Sequence, residues 1–345
     1  MRDDLTKQHI HPVAYTRCSR KLIGPTVIYC LFLCLAFMLA AVSDTKADSD
    51  FIVTLLGTAS PAPRPTRFGP STLVQVGGQT LLFDAGRGVP IRMGQIKVPI
   101  GKIEVLFITH YHSDHVSGIP DIWLTGWLGP IFGQRKAPFH VIGPAGAKNL
   151  MSNLEKAYAL DINIRTADEK LSPEGIAINV EEFDRDGVVY EKDRVKVIAF
   201  EVDHGADIKP AYGYRIEYDG RAAVISGDTR YNQNVIKYGT DADLLIHEVA
   251  IAPPELMSNP FAQSIIAHHT SPQDAGRVFA QTKPKLAAYT HLVFLSNEKV
   301  PEASLDELVA QTRETYKGPL EVGEDLTSFE IGETVTVRRY KPSPQ

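Results

Sequence analysis

Six consecutive residues, His110-Tyr111-His112-Ser113-Asp114-His115, constrain this 345-residue chain more than any other feature. They put three imidazoles and a carboxylate directly after an apolar run, Val105-Leu106-Phe107-Ile108-Thr109, which reads as a buried strand. Side chains at the end of a rigid strand are held at fixed angles, as a metal site requires. Neutral imidazole and carboxylate are the nitrogen and oxygen ligands that zinc and similar divalent ions take. His110 and His112 alternate toward one side and can grip one ion. The turn then carries Asp114 and His115 toward a second. An incidental polar turn has no reason to concentrate donors in this HxHxDH spacing.

Apolar runs that end in polar residues recur along the chain. Residues 51–56 predict a first strand closed by Gly57, followed by a Pro-rich loop from Pro61 to Pro70. Residues 72–76 and 80–83 predict a hairpin about Gly77-Gly78. Residues 138–142 predict a strand and 145–159 a helix, while 161–190 give no clear pattern. Residues 195–202 predict a strand ending near His204, and 212–218 with 222–226 a hairpin across Asp219-Gly220. An apolar run at 244–246 leads into His247-Glu248. Residues 271–281 predict a helix, 286–290 a strand ending at His291, and 305–316 a last helix. Asp84, His110, His204, Asp228, His247 and His291 all follow apolar strands, the arrangement that assembles a site at one edge of a sheet scaffold. The mixture of hairpins and strand-helix units predicts an α/β (α+β) domain with sheets between helices.

The N-terminal stretch is different in kind. Arg17, Arg20 and Lys21 precede an apolar run from Val27 to Val42, followed by small residues, the layout of a secretory signal peptide. Residues 1–47 are therefore expected to be a signal peptide or N-terminal anchor, and residues 48–345 one compact domain, exported to the periplasm or beyond. All three cysteines, Cys18, Cys30 and Cys34, lie in this leader, so the remainder can use neither disulfides nor thiolate ligands. Six of the 36 Lys+Arg and three of the 41 Asp+Glu precede Asp48, leaving 30 against 38, a net charge of −8. Such a chain lacks the general attraction to polyanions, which argues against nucleic acid as a partner.

Together, Phe83-Asp84-Ala85-Gly86, the HxHxDH run, His204, Ser226-Gly227-Asp228-Thr229 and His291 make the chain resemble the metallo-β-lactamase superfamily. Leu56-Gly57-Thr58, Phe68-Gly69-Pro70-Ser71-Thr72, Tyr212-Gly213-Tyr214-Arg215, His247-Glu248, His269-Thr270-Ser271 and Tyr289-Thr290-His291 resemble its ribonuclease Z and arylsulfatase branch. The resemblance implies an αββα four-layer sandwich. It also implies two divalent ions, zinc first and manganese or iron as alternatives. His110, His112 and His204 would hold one ion and Asp114, His115 and His291 the other, with Asp228 bridging. Two ions roughly 3.5–4 Å apart can share one hydroxide and neutralise charge on the attacked group. True β-lactamases of the superfamily lack the bridging Asp, so Asp228 moves the expectation toward phosphodiesters or aryl sulfates.

The implied catalytic residues are Asp114, orienting the nucleophile, and His269, stabilising or protonating the ester oxygen, with Glu248 orienting His269. His268 is the rival to His269. Asp84 would orient a metal-bound histidine through its other ring nitrogen. His247 and His140 read as structural. Trp123 and Trp127, four residues apart, read first as packing, with a wall for an aryl leaving group as the alternative. Arg64 and Arg87 read as solvated surface cations that could also meet an anionic substrate. The tRNA-processing enzymes carry a long arm between the Gly-Tyr strand and the Gly-Asp-Thr turn, where this chain has a tight hairpin. The expected partner is thus a small-molecule ester, with no membrane contact beyond the leader; homodimers are common in this branch. The other readings are a lactonase or β-lactam hydrolase, a ribonuclease Z-like endonuclease, and a metal-binding protein without turnover.

Overall fold

The computed structural model describes residues 50–342. Their strands form two sheets. In chain order the first takes β1 (Phe51–Gly57), β2 (Ser71–Val76), β3 (Gln79–Phe83), β4 (Val105–Phe107), β5 (Phe139–Pro144) and β6 (Ile178–Phe183). The second takes β7 (Gly187–Lys192), β8 (Val195–Glu201), β9 (Tyr212–Tyr218), β10 (Arg221–Ile225), β11 (Leu244–Ile251), β12 (Leu286–Phe294) and β13 (Leu320–Val322). The chain then returns to the first sheet with β14 (Ser328–Ile331) and β15 (Val335–Arg338). The spatial orders are β15-β14-β1-β2-β3-β4-β5-β6 and β13-β12-β11-β10-β9-β8-β7.

Alternation along single strands makes the layers. Leu81 and Phe83 of β3 join Val105 and Phe107 of β4 in the core between the sheets, where Tyr214, Ile216, Leu244 and Ile246 meet them. The intervening Leu82 and Leu106 face the other way, into a cluster with Met93, Ile122, Trp123, Trp127 and Met151 under the helices Ile119–Trp127 and Ala147–Ala157. Leu245 of β11 likewise leaves the central core and packs with Val278, Phe279 and Leu308 of the helices Pro272–Thr282 and Leu305–Arg313. Strands buried on both faces read as continuous apolar runs. The result is the expected αββα four-layer sandwich.

Several boundaries differ from the sequence expectation. β4 ends at Phe107, with a last hydrogen bond to β5 from Ile108 N to Ile142 O (3.0 Å). The helix expected over 145–159 is two helices, Ala147–Ala157 and Ala159–Asp168, broken at Tyr158 (φ −101°, ψ 9°). The unassigned region 161–190 contains β6 and most of β7, edge strands of their sheets. β11 and β12 run on past Glu248 and His291, so those residues lie within strands and not at their ends. The leader expectation concerns residues that lie outside the described ones. Among the described residues no helix is long and apolar enough to cross a membrane.

Candidate metal centre

The polar residues singled out in the sequence converge where the two sheets meet. Asp84 follows β3, the HxHxDH run follows β4, His204 lies just beyond β8, and Asp228 follows β10. Cross-sheet hydrogen bonds lock the edges together: Tyr212 N donates to Thr109 O (3.1 Å), and Tyr214 Oη to Ile108 O (2.5 Å). His291 arrives by a different device. The β11–β12 register pairs Glu248 with Thr290 and Val249 with Leu292, so His291 is an extra residue at a bulge, with φ +43°. Such a bulge re-aims one side chain without ending the strand. Two glycines make room around the donors. Gly227, at φ +61°, brings its Cα against Tyr212 O, and Gly86 lies so close to Asp114 O that a Cβ would stand 2.6 Å from it.

Two donor groups result. His110, His112, His204 and Asp228 have ligand atoms within 4.8 Å of one another; so do Asp114, His115 and His291. In the first, His112 Nδ1 lies 3.0 Å from His110 Nε2 and 3.2 Å from His204 Nε2. Tetrahedral zinc with Zn–N bonds of about 2.0–2.1 Å separates its nitrogen ligands by about 3.3 Å. The observed spacing therefore suits a central cation. The outward nitrogens support the same orientation. His204 Nδ1 donates to His268 O (2.9 Å), and His115 Nδ1 lies 2.7 Å from Asp84 Oδ2, leaving both Nε2 atoms directed inward. His115 Nε2 is buried without a hydrogen-bond partner, as a waiting ligand atom would be.

Asp228 joins the groups. Its Oδ2 lies 3.9 Å from His110 Nε2, 3.7 Å from His204 Nε2, 3.3 Å from His115 Nε2 and 3.1 Å from His291 Nε2. Burial opposes ionisation of this carboxyl, but His291 and His115 hold it well below the usual range. Burial keeps His110 and His204 neutral, the form that offers a lone pair. Burial also disfavours charge on His115, yet Asp228 and Asp84 override it and raise its pKa.

His269 stands beside this centre. Its Nδ1 lies 3.2 Å from Glu248 Oε1, an ion-pair distance, and one of its ring nitrogens forms a third close group with Asp228 and His291. Burial works against the charged ring, but Glu248 brings its pKa to about 9. Thr229 N (3.2 Å) and Thr270 N (3.1 Å) donate to the same Glu248 oxygen and fix its position. His268, the rival, contributes its backbone carbonyl to His204.

Other sequence expectations separate cleanly. Trp123 and Trp127 are fully buried, and their indole N–H groups donate to Ile176 O (2.9 Å) and Ser172 O (2.7 Å). They pack a core and wall no substrate pocket. His247 is buried in β11, with Nδ1 2.6 Å from Glu248 O. His140 pairs with Glu181 at 2.8 Å on the first sheet. Arg64 is engaged by Glu302. Thr109 escaped the sequence reading, which treated it as the end of an apolar strand. Its hydroxyl contacts both Asp84 (2.7 Å) and His110 Nδ1 (3.0 Å).

Fold and donor set together define a metallohydrolase sandwich. The family described as the beta-lactamase superfamily domain matches residues 79–292. A ribonuclease Z from Mycobacterium marinum is 34% identical over 283 residues, covering 81% of this chain and 98% of its own. Among solved structures, the metallo-beta-lactamase fold protein YhfI from Bacillus subtilis superposes with a TM-score of 0.61 at 20% identity, over 81% of this chain and 98% of its own. Human tRNase Z, short form, gives 0.59 at 22%, over 80% and 98%. Zinc-bound PqqB from Methylobacterium extorquens gives 0.57 at 15%, over 81% and 100%. The chain belongs to the beta-lactamase superfamily and, within it, to the ribonuclease Z branch.

Proposed function

We propose that the protein is a two-metal hydrolase of small phosphodiesters or aryl sulfates. The observation that carries the reading is one oxygen, Asp228 Oδ2, facing ring nitrogens from both donor groups. A shared carboxylate keeps two cations close, and close cations suit an ester whose transition state gathers negative charge. His110, His112 and His204 would hold one ion, Asp114, His115 and His291 the other, with Asp228 common to both; zinc fits the nitrogen spacing. Divalent ions held there would supply Lewis-acid polarisation of the ester and an activated water. Asp114, buried beside His291, would orient that water. Glu248 holds a proton on His269 Nδ1, which leaves Nε2 to stabilise or protonate the leaving oxygen. Residues 1–47 would direct the enzyme out of the cytoplasm.

The names of the relatives favour a second reading, cleavage of RNA. Against it stand the net negative charge from Asp48 onward and the β9–β10 hairpin. β9 ends at Tyr218 and β10 begins at Arg221, so Asp219 and Gly220 alone span the place where the tRNA-processing enzymes carry their arm. The test compares cleavage of bis(p-nitrophenyl) phosphate, p-nitrophenyl sulfate, a lactone and a precursor tRNA by the zinc-loaded protein from Asp48. Faster turnover of the phosphodiester or the sulfate supports the proposal and names the ester. Efficient precursor-tRNA cleavage with weak action on the small esters overturns it in favour of the ribonuclease. Inertness on all four, with metal bound, favours a metal-binding role.

A further inference from the structure

Asp84 stands outside both donor groups, yet it touches a ligand of one directly and reaches a ligand of the other through Thr109. Its Oδ2 lies 2.7 Å from His115 Nδ1 and 2.7 Å from Thr109 Oγ1, while its Oδ1 accepts from Thr109 N (2.8 Å). Thr109 Oγ1 in turn lies 3.0 Å from His110 Nδ1. A hydroxyl carries one proton. The carboxylate can only accept, so Thr109 donates its proton to Asp84 and its lone pair is left for His110. His110 Nδ1 must then carry hydrogen, which turns Nε2 and its lone pair toward His112 and Asp228. Asp84 acts on His115 directly in the same sense. The backbone is shaped for this contact. Asp84 sits at φ +57°, its N–H donates to Phe107 O (2.8 Å), and Ser71 Oγ donates to its carbonyl (2.8 Å). A residue that is not glycine holds a left-handed conformation only where its surroundings enforce it.

We propose that Asp84 and Thr109 form one hydrogen-bonded bracket that orients a ligand in each metal site, with Thr109 a positioning residue for His110. The two sites are thereby coupled through a group that binds neither ion. This inference rests on the two-metal reading. Its consequences are selective. Loss of the Thr109 hydroxyl frees His110 but leaves His115 held, so it weakens the first site and spares the second. Loss of the Asp84 charge releases both. Thr109 acts on Asp84 and His110 together, so removing it from a chain already lacking the carboxylate adds little.

The test measures two stepwise zinc dissociation constants by chelator competition on the protein from Asp48, with His112→Ala marking the first site. Thr109→Val keeps the side-chain shape without the hydroxyl, and Thr109→Ser keeps the hydroxyl. Asp84→Asn keeps a residue that tolerates φ +57°. Thr109→Val is expected to weaken the first site roughly 10–100-fold and leave the second within about threefold, while Thr109→Ser stays near the parent. Asp84→Asn is expected to weaken both, and the double variant Asp84→Asn/Thr109→Val to match Asp84→Asn, the non-additivity of a shared network. Equal loss at both sites in Thr109→Val, failure of Thr109→Ser to restore binding, or additive effects in the double variant would overturn the bracket while leaving the two-metal reading intact. A parent protein that binds fewer than two zinc ions would sink that reading, and the bracket with it. Melting of the zinc-free variants separates a folding defect, which lowers stability without site selectivity.

Discussion

Two stretches of chain separated by three residues, 110–115 and 119–127, each bury at least half of their residues, yet they are built for opposite ends. In the first, buried ring nitrogens face one another and a shared carboxylate, so binding capacity is left over. In the second, each buried indole N–H is closed by a carbonyl, Trp123 by Ile176 and Trp127 by Ser172. Burial alone therefore says nothing about function. What separates a site from a core is whether the buried polar atoms are already satisfied within the chain. Substitutions in and around the first stretch should change chemistry more than stability, and those in the second should do the reverse.

The strongest attempt to break that contrast is Asp228→Ala. It removes the oxygen that both donor groups face, and ester hydrolysis should fall by roughly 10³-fold or more, the scale seen when a main electrostatic stabiliser is lost. Bound zinc, measured by elemental analysis, should drop below two equivalents in the same variant. Chelation of the parent should reproduce the inactivity reversibly and lower the melting temperature, because ions that bind only the folded chain stabilise it by mass action. Full activity in a chelated or Asp228→Ala protein would remove the contrast at its root.

His269→Ala sharpens the comparison one step outward. This ring is placed against the centre by Glu248 without belonging to the two main donor groups. The expected outcome is a loss of roughly 10²-fold in kcat with zinc stoichiometry unchanged, as for removal of a general acid. Glu248→Gln should cost less, about tenfold, because its two backbone donors from Thr229 and Thr270 persist while the charge beside His269 is gone. Loss of zinc in His269→Ala would instead make that ring a ligand.

The metal run and the apolar strands were legible because each carries its pattern locally. HxHxDH places its donors by spacing alone, and the residues of β3 and β4 read as buried strands because both faces are covered. What could not be read depends on partners distant in sequence. His291 is aimed by a bulge that exists only in the β11–β12 register, and Thr109 matters only because Asp84 lies opposite. β6 and β7 escaped recognition because edge strands with half-exposed faces carry no continuous apolar run. The roles of His204 and Asp228 entered through family resemblance, since a single histidine or a Gly-Asp-Thr turn has an ordinary structural meaning too.

The smallest effect on activity is expected where the sequence left two meanings open. Trp127→Phe keeps an aromatic ring in the core but removes the indole N–H that donates to Ser172 O and part of the volume filling the helix-covered layer. A buried carbonyl losing its donor and a core losing a few atoms together cost about 1–3 kcal/mol. That corresponds to a fall of several degrees in melting temperature for a domain of this size. Turnover per zinc-loaded molecule should stay within about twofold for aryl and alkyl esters alike, because the ring reaches no part of the donor groups. A selective loss on aryl esters, with the melting temperature unchanged, would restore the pocket-wall role and show that the second stretch is less closed than its hydrogen bonds imply.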